Sequence, residues 1–176
     1  LNGAHLGGVP SVFWDGITAP GSNGSLVLEH VQIGNFSRYG VNFAPTNGAL
    51  FVRDCEFTNN ERSGILTSSA GGAVLSIDNV RLSNNGVFGT GCGIILQDRT
   101  QATITDSVIA YNGLVGILAS PGAGTSEVNL ENTSLVGNSN NLQAGFSAAP
   151  ATIRISNVDV FDATVSALSW TQGSSI

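Results

Sequence analysis

The chain has 176 residues, which suits one domain able to bury roughly 70% of its unfolded surface without a metal or disulfide staple. Apolar residues make up 41% and charged residues only 10%; Lys is absent, the six Arg are scattered and the net charge is −6, so a basic nucleic-acid stripe and an anionic-membrane patch are both excluded. No apolar run approaches the roughly 18 residues of a transmembrane helix and no charged segment precedes an apolar one at the start, so neither a membrane span nor a leader peptide is expected in the chain as it stands.

Residues 1–24 come first and read as a partial coil or degenerate cap, because "GITAPGSNG" at 16–24 lines up with "GVNFAPTNG" at 40–48. From residue 25 a phrase returns with loose spelling, most plainly in "SIDNVRLSNNG" (76–86) and "TITDSVIAYNG" (103–113). Its anchor is Leu28, then Val52, Ile77, Ile104, Leu130 and Ile155, at spacings of 24, 25, 27, 26 and 25. Two positions earlier stand Leu26, Leu50, Leu75, Ala102, Val128 and Ile153. Three later stand Val31, Cys55, Val80, Ser107, Thr133 and Val158, and five later Ile33, Phe57, Leu82, Ile109, Leu135 and Val160. Alternation at two-residue spacing predicts strands of roughly three to five residues, and the slip by one after each anchor predicts a tight turn that keeps the same face inward. A third alternating segment opens on Gly, as "GVNFA" (40–44), "GILTS" (64–68), "GIILQ" (93–97) and "GILAS" (116–120). Regular coils are expected over 25–166, and "ALSWTQGSSI" at 167–176 enters one more turn.

Three short strands per unit of about 25 residues describe one coil of a parallel β-solenoid. Helical repeats of this length need long windows at 3.6 spacing, which Gly, Asn and β-branched residues interrupt here. A β-sandwich has no reason to repeat one three-strand phrase six times in the same order. Stacking also explains the loose spelling, because equivalent residues lie about 4.8 Å apart and need only fit their two neighbours.

Polar residues repeat as well. Two after the anchor come His30, Asp54, Asn79, Asp106, Asn132 and Asn157, at the tight turn, where Asn and Asp tolerate unusual backbone angles. Eight after the anchor come Asn60, Asn85, Asn112 and Asn138, a second column. Asn79, Asn132 and Asn157 in the first column and the four asparagines of the second are read as structural ladders. Cys55 and Cys92 leave the redox compartment undecided; they read as unpaired thiols, with Cys55 buried as a small hydrophobe.

With the short Asn-bearing turn and the strand opening on Gly-Ile, residues 77–85 and 93–96 resemble the right-handed parallel β-helix repeat proteins, the pectate-lyase-like superfamily. The resemblance covers about residues 16–171. It implies an all-β, right-handed parallel β-helix of about six to seven coils, and one domain over 1–176. With no helical cap in sight at either end, a fragment of a longer protein or capping by association is expected. For activity the resemblance implies little, since such solenoids host lyases, hydrolases, epimerases and adhesins.

The pectin-cleaving members use acidic residues clustered on an outer sheet. Here the outward positions of the strand opening on Gly are Thr18, Asn42, Leu66, Ile95, Leu118 and Ser169, with no carboxylate among them. The Asn-Thr-Asp, Asp-Asp and Gly-His-Gly signatures of polygalacturonases and the paired Arg of pectate lyases are absent. Acids stack beside arginines instead, with Arg53 expected between Glu29 and Asp78, and Glu56 beside Arg81, as surface ion pairs. Neither a calcium site nor a zinc site is offered, His5 and His30 lie far apart, and no glycine run carries a phosphate-binding motif, so no metal and no cofactor is expected.

Two features remain. Leu66, Ile95 and Leu118 with Asn42 form an apolar stripe on an outer face, a candidate binding surface for polysaccharide, another protein or a second copy. The loop "VFGTG" at 87–91 carries an insertion, since ladder Asn to inward Ile takes nine residues there against five in the units on either side. The leading expectation is a non-catalytic structural or interaction module that is secreted, periplasmic or cell-surface and binds carbohydrate on its outer face. The alternative is a polysaccharide-active lyase or hydrolase with its site in a cap or inserted loop, with Asp98, Arg99 and Asp15 as catalytic candidates.

Overall fold

The computed structural model describes residues 14–176 apart from 22, 87, 88, 90, 146–148 and 172. Its described residues form three parallel sheets and no helix. The first sheet stacks Gly24–Glu29, Asn47–Arg53, Gly72–Asp78, Thr100–Thr105, Ser126–Glu131 and Ala151–Ser156. The second stacks the three-residue strands Gln32–Gly34, Glu56–Thr58, Arg81–Ser83, Val108–Ala110, Ser134–Val136 and Asp159–Phe161. The third has seven strands: Ile17–Pro20, Tyr39–Ala44, Ser63–Ser68, Cys92–Gln97, Val115–Ala119, Asn140–Ala144 and Ser166–Trp170. Each strand pairs with its equivalent one coil away, which is the arrangement of a parallel β-solenoid.

The register is the one the repeat predicts. Leu28, Val52, Ile77, Ile104, Leu130 and Ile155 pair in sequence along the first sheet, and Ile33, Phe57, Leu82, Ile109, Leu135 and Val160 along the second. Most of these side chains are buried in one continuous apolar core. Each contributes about 1.5–3 kcal/mol when fully buried, while ordering backbone costs about 1–2 kcal/mol per residue, so a single coil cannot stand alone and stacked coils can.

Corners between sheets set the coil's shape. His30, Asp54, Asn79, Asp106, Asn132 and Asn157 all have φ between 48° and 54°, which turns the chain from the first sheet into the second. At this turn Ser107 Oγ donates back to Thr105 O, and Thr133 Oγ1 to Glu131 O. Cys55 Sγ does the same to Arg53 O at 3.1 Å, so its thiol occupies the slot that a hydroxyl fills in later coils.

A second left-handed column lies between the second and third sheets, at Asn35, Asn59, Asn84, Tyr111, Gly137 and Asp162. The residue after it carries the buried ladder. Asn60 Nδ2 donates to Asn85 Oδ1 at 2.8 Å, Asn85 Nδ2 to Asn112 Oδ1 at 3.0 Å, and Asn112 Nδ2 to Asn138 Oδ1 at 3.0 Å. Each of these oxygens also accepts the backbone N–H of the preceding rung, so a row of polar groups crosses the dry interior with its donors and acceptors paired. The Gly-Ile strand openings belong to the same corner: a Cβ on Gly93 would come within 2.6 Å of Gly116 O and 3.0 Å of Asn112 Nδ2. In the fifth coil Asn141 replaces the glycine, and its Oδ1 accepts the last rung, Asn138 Nδ2, at 2.7 Å.

Candidate functional site

The third sheet presents Thr18, Asn42, Leu66, Ile95, Leu118, Gln143 and Ser169 in one outward row. Leu66, Ile95 and Leu118 are therefore contiguous. They are half-buried rather than fully exposed, and the amides of Asn42 and Gln143 flank this apolar stretch within the row. Gln143 escapes a reading that looks for Gly-Ile, because its strand opens on Asn140 and Asn141 instead.

Asp15 comes to the same row from the corner before it. Its Oδ2 accepts Asn42 Nδ2 at 3.0 Å and Thr18 Oγ1 at 3.1 Å, and its Oδ1 accepts Tyr39 N at 3.4 Å and lies 3.7 Å from Arg38 Nε. The side chain is only 7% exposed, with Arg38, Tyr39 and Asn42 of the next coil and Thr18 of its own coil around the carboxylate. Arg38 and Arg62 lie over the Tyr39 ring, at 5.1 and 6.0 Å from its centre. Asp15 and Asn42, which the sequence offers for separate reasons, thus form one cluster.

Asp98 and Arg99 sit elsewhere, in the turn between the third sheet and the first strand of the next coil. Both have positive φ, 43° and 45°, a conformation that costs a non-glycine residue of order 1–3 kcal/mol unless its surroundings hold it. The holding contacts are visible. Asp98 Oδ1 accepts Gly122 N at 2.8 Å and Ala123 N at 2.9 Å from the coil above, and Arg99 Nη1 donates to Ala70 O at 2.6 Å on the coil below. The arginine stem also lies over Gly124, where a Cβ would come within 2.5 Å of Arg99 Cγ. The pair fastens three successive turns to one another.

The charged columns of the first two sheets differ in one respect from the stacking expectation. Arg53 pairs with Glu29 at 2.8 Å, but its other ion pair is with Asp54 at 3.7 Å, because the long side chain reaches the adjacent corner; Asp78 accepts Thr105 Oγ1 at 2.8 Å instead. Arg81 and Glu56 pair at 3.8 Å as the stacking predicts. His30 Nδ1 stands 3.6 Å from Asp54 Oδ2, and these residues with Cys55, Glu56 and Arg81 line an open groove of about 640 Å³. Asn79 Nδ2 donates to Asp54 Oδ1, and Asn157 Nδ2 to Asn132 Oδ1, so the corner residues make two separate exposed pairs, unlike the continuous buried ladder. A smaller groove on the first sheet is lined by Val27 and Phe51, with Glu29, Arg53, Ser76 and Asp78 around them. Among the described residues no group of three or more His, Cys, Asp or Glu could hold a metal ion. His5 and the loop residues Val87, Phe88 and Thr90 lie outside the described residues.

Three stacked parallel sheets, the left-handed corners and the buried ladder agree with comparison against family models, in which the right-handed β-helix region matches residues 14–176. The chain belongs to the right-handed β-helix family. No curated protein and no solved structure matches this β-helix. Family membership accounts for the coil and its corners, and the chemistry must be argued from the side chains that this β-helix carries outward.

Proposed function

We propose that this β-helix is a non-catalytic structural or interaction module, extracytoplasmic in location, that holds an extended polysaccharide along an outer face. The observation that carries the reading is the outward row on the third sheet, with apolar Leu66, Ile95 and Leu118 between the amides of Asn42 and Gln143. A sugar ring offers C–H faces and hydroxyls in alternation, which such a row can meet with apolar contact and amide hydrogen bonds. The Val27 and Phe51 surface, bordered by Glu29, Arg53 and Asp78, gives the first sheet a similar character. Against a catalytic reading, the carboxylates of Asp15 and Asp98 are engaged in fastening coils, and acid/base work needs a group within reach of a substrate proton.

The test is a glycan array that includes acidic polysaccharides, run with product analysis and light scattering. Specific binding without turnover is expected, lost in Ile95→Glu and retained in Asp98→Asn. Turnover of a uronate polymer that is abolished by changing an outer acid would contradict the proposal. Absence of binding with a discrete oligomer would point to a protein partner or a second copy on this face.

A further inference from the structure

The buried ladder carries a chemical liability at two of its rungs. Asn85 and Asn112 are followed by Gly86 and Gly113, whereas Asn60 precedes Glu61 and Asn138 precedes Ser139. In an Asn-Gly pair the glycine nitrogen, unhindered by a Cβ, attacks the side-chain amide carbon and expels ammonia. Water then opens the cyclic imide to aspartate or isoaspartate, so the balance is amide plus water giving acid plus ammonia. The fold cannot avoid these glycines: Gly86 has a φ of +78°, and a Cβ on Gly113 would lie 2.1 Å from Gly86 O.

We propose that Asn85 and Asn112 are latent deamidation sites that folding protects, and that their conversion in the unfolded chain prevents folding. Protection comes from the nucleophile. Gly86 N donates to Asn60 O and Gly113 N to Asn85 O, both at 2.8 Å, so neither nitrogen is placed to attack its neighbour's side chain. Incompatibility comes from the rung. Asn85 Nδ2 donates to Phe57 O at 3.0 Å and to Asn112 Oδ1 at 3.0 Å, and Asn112 Nδ2 donates to Leu82 O at 3.1 Å and to Asn138 Oδ1 at 3.0 Å. A carboxylate there would turn two donors into an acceptor facing two acceptors, with a charge in the interior where these side chains are 1% and 2% exposed. Asn23-Gly24 and Asn47-Gly48 have the same dipeptide with exposed asparagines, and serve as references in the same chain.

The experiment ages the native protein and the urea-unfolded protein side by side at mildly alkaline pH and follows each site by peptide mapping. The unfolded chain should convert at all five Asn-Gly pairs, Asn2-Gly3 included, and the native protein should show no conversion at Asn85 and Asn112. After removal of urea, the refolded fraction should contain only molecules with both amides intact. Asn85→Asp should give no cooperative melting transition, while Asn132→Asp, at an exposed corner, should melt like the parent. Conversion of Asn85 or Asn112 in the native protein at the unfolded rate would overturn the protection. Native-like refolding of chains carrying aspartate at these rungs would overturn the incompatibility.

Discussion

Cys92 and Cys55 are both buried and unpaired, yet their surroundings differ. Cys55 has backbone oxygens beside its sulfur, at 3.1 Å from Arg53 O and 3.5 Å from Leu28 O. Cys92 sits at the start of a third-sheet strand, where desolvation by burial pushes its pKa from 9.0 up to about 12, against a smaller lowering by the Val115 backbone. The folded protein thus keeps this proton where the unfolded chain gives it up. Stability from this group is complete below about pH 9 and is lost as pH rises toward about 12. Melting temperature should therefore fall with pH across that interval, less steeply in Cys92→Ala than in the parent, and thiol reagents should leave native Cys92 unmodified. Equal slopes would remove Cys92 as the cause.

A turn or corner is the scale at which sequence reading succeeds and fails here. The inward columns were legible because alternation and burial impose the same residue class in every coil. The left-handed turn after the first sheet was legible from its Asn and Asp. The second left-handed column carries a signal too, since Asn35, Asn59, Asn84, Gly137 and Asp162 are all residues that tolerate positive φ, but Tyr111 breaks the series. Tyr111 fits because Gly137 leaves room for its ring, a contact between coils that no local pattern announces. The fastening role of Asp98 was equally invisible, since its partners are backbone N–H groups of residues 122 and 123. Asp98→Ala should cost about 1–2 kcal/mol, by losing two hydrogen bonds between coils and placing Ala at positive φ, while Asp98→Asn should cost less than half of that. Gly93→Ala should cost about 2 kcal/mol or more by chemical denaturation, because its Cβ would meet backbone and ladder atoms that cannot withdraw. A Gly93→Ala protein as stable as the parent would separate the Gly-Ile opening from the ladder.

Across the whole molecule, each coil touches only its neighbours, so damage should spread along the stack rather than throughout it. Ile104 is fully buried in the fourth coil between Ile77 and Leu130, whereas Asp78 points outward and accepts a hydrogen bond from Thr105. A charge at position 104 has no partner in the dry core and removes the apolar contact that joins the third coil to the fifth. Ile104→Asp should destabilise the stack by several kcal/mol, roughly 3 or more, while Asp78→Ala should cost under about 1 kcal/mol. Hydrogen exchange adds the spatial test. In Ile104→Asp, protection should fall most in the strands at 72–78, 100–105 and 126–131, and less at the strand Tyr39–Ala44. Uniform loss of protection would mean that the coils open as one cooperative unit, whereas equal stability of the two variants would overturn the inward and outward assignment on which the stacked core depends.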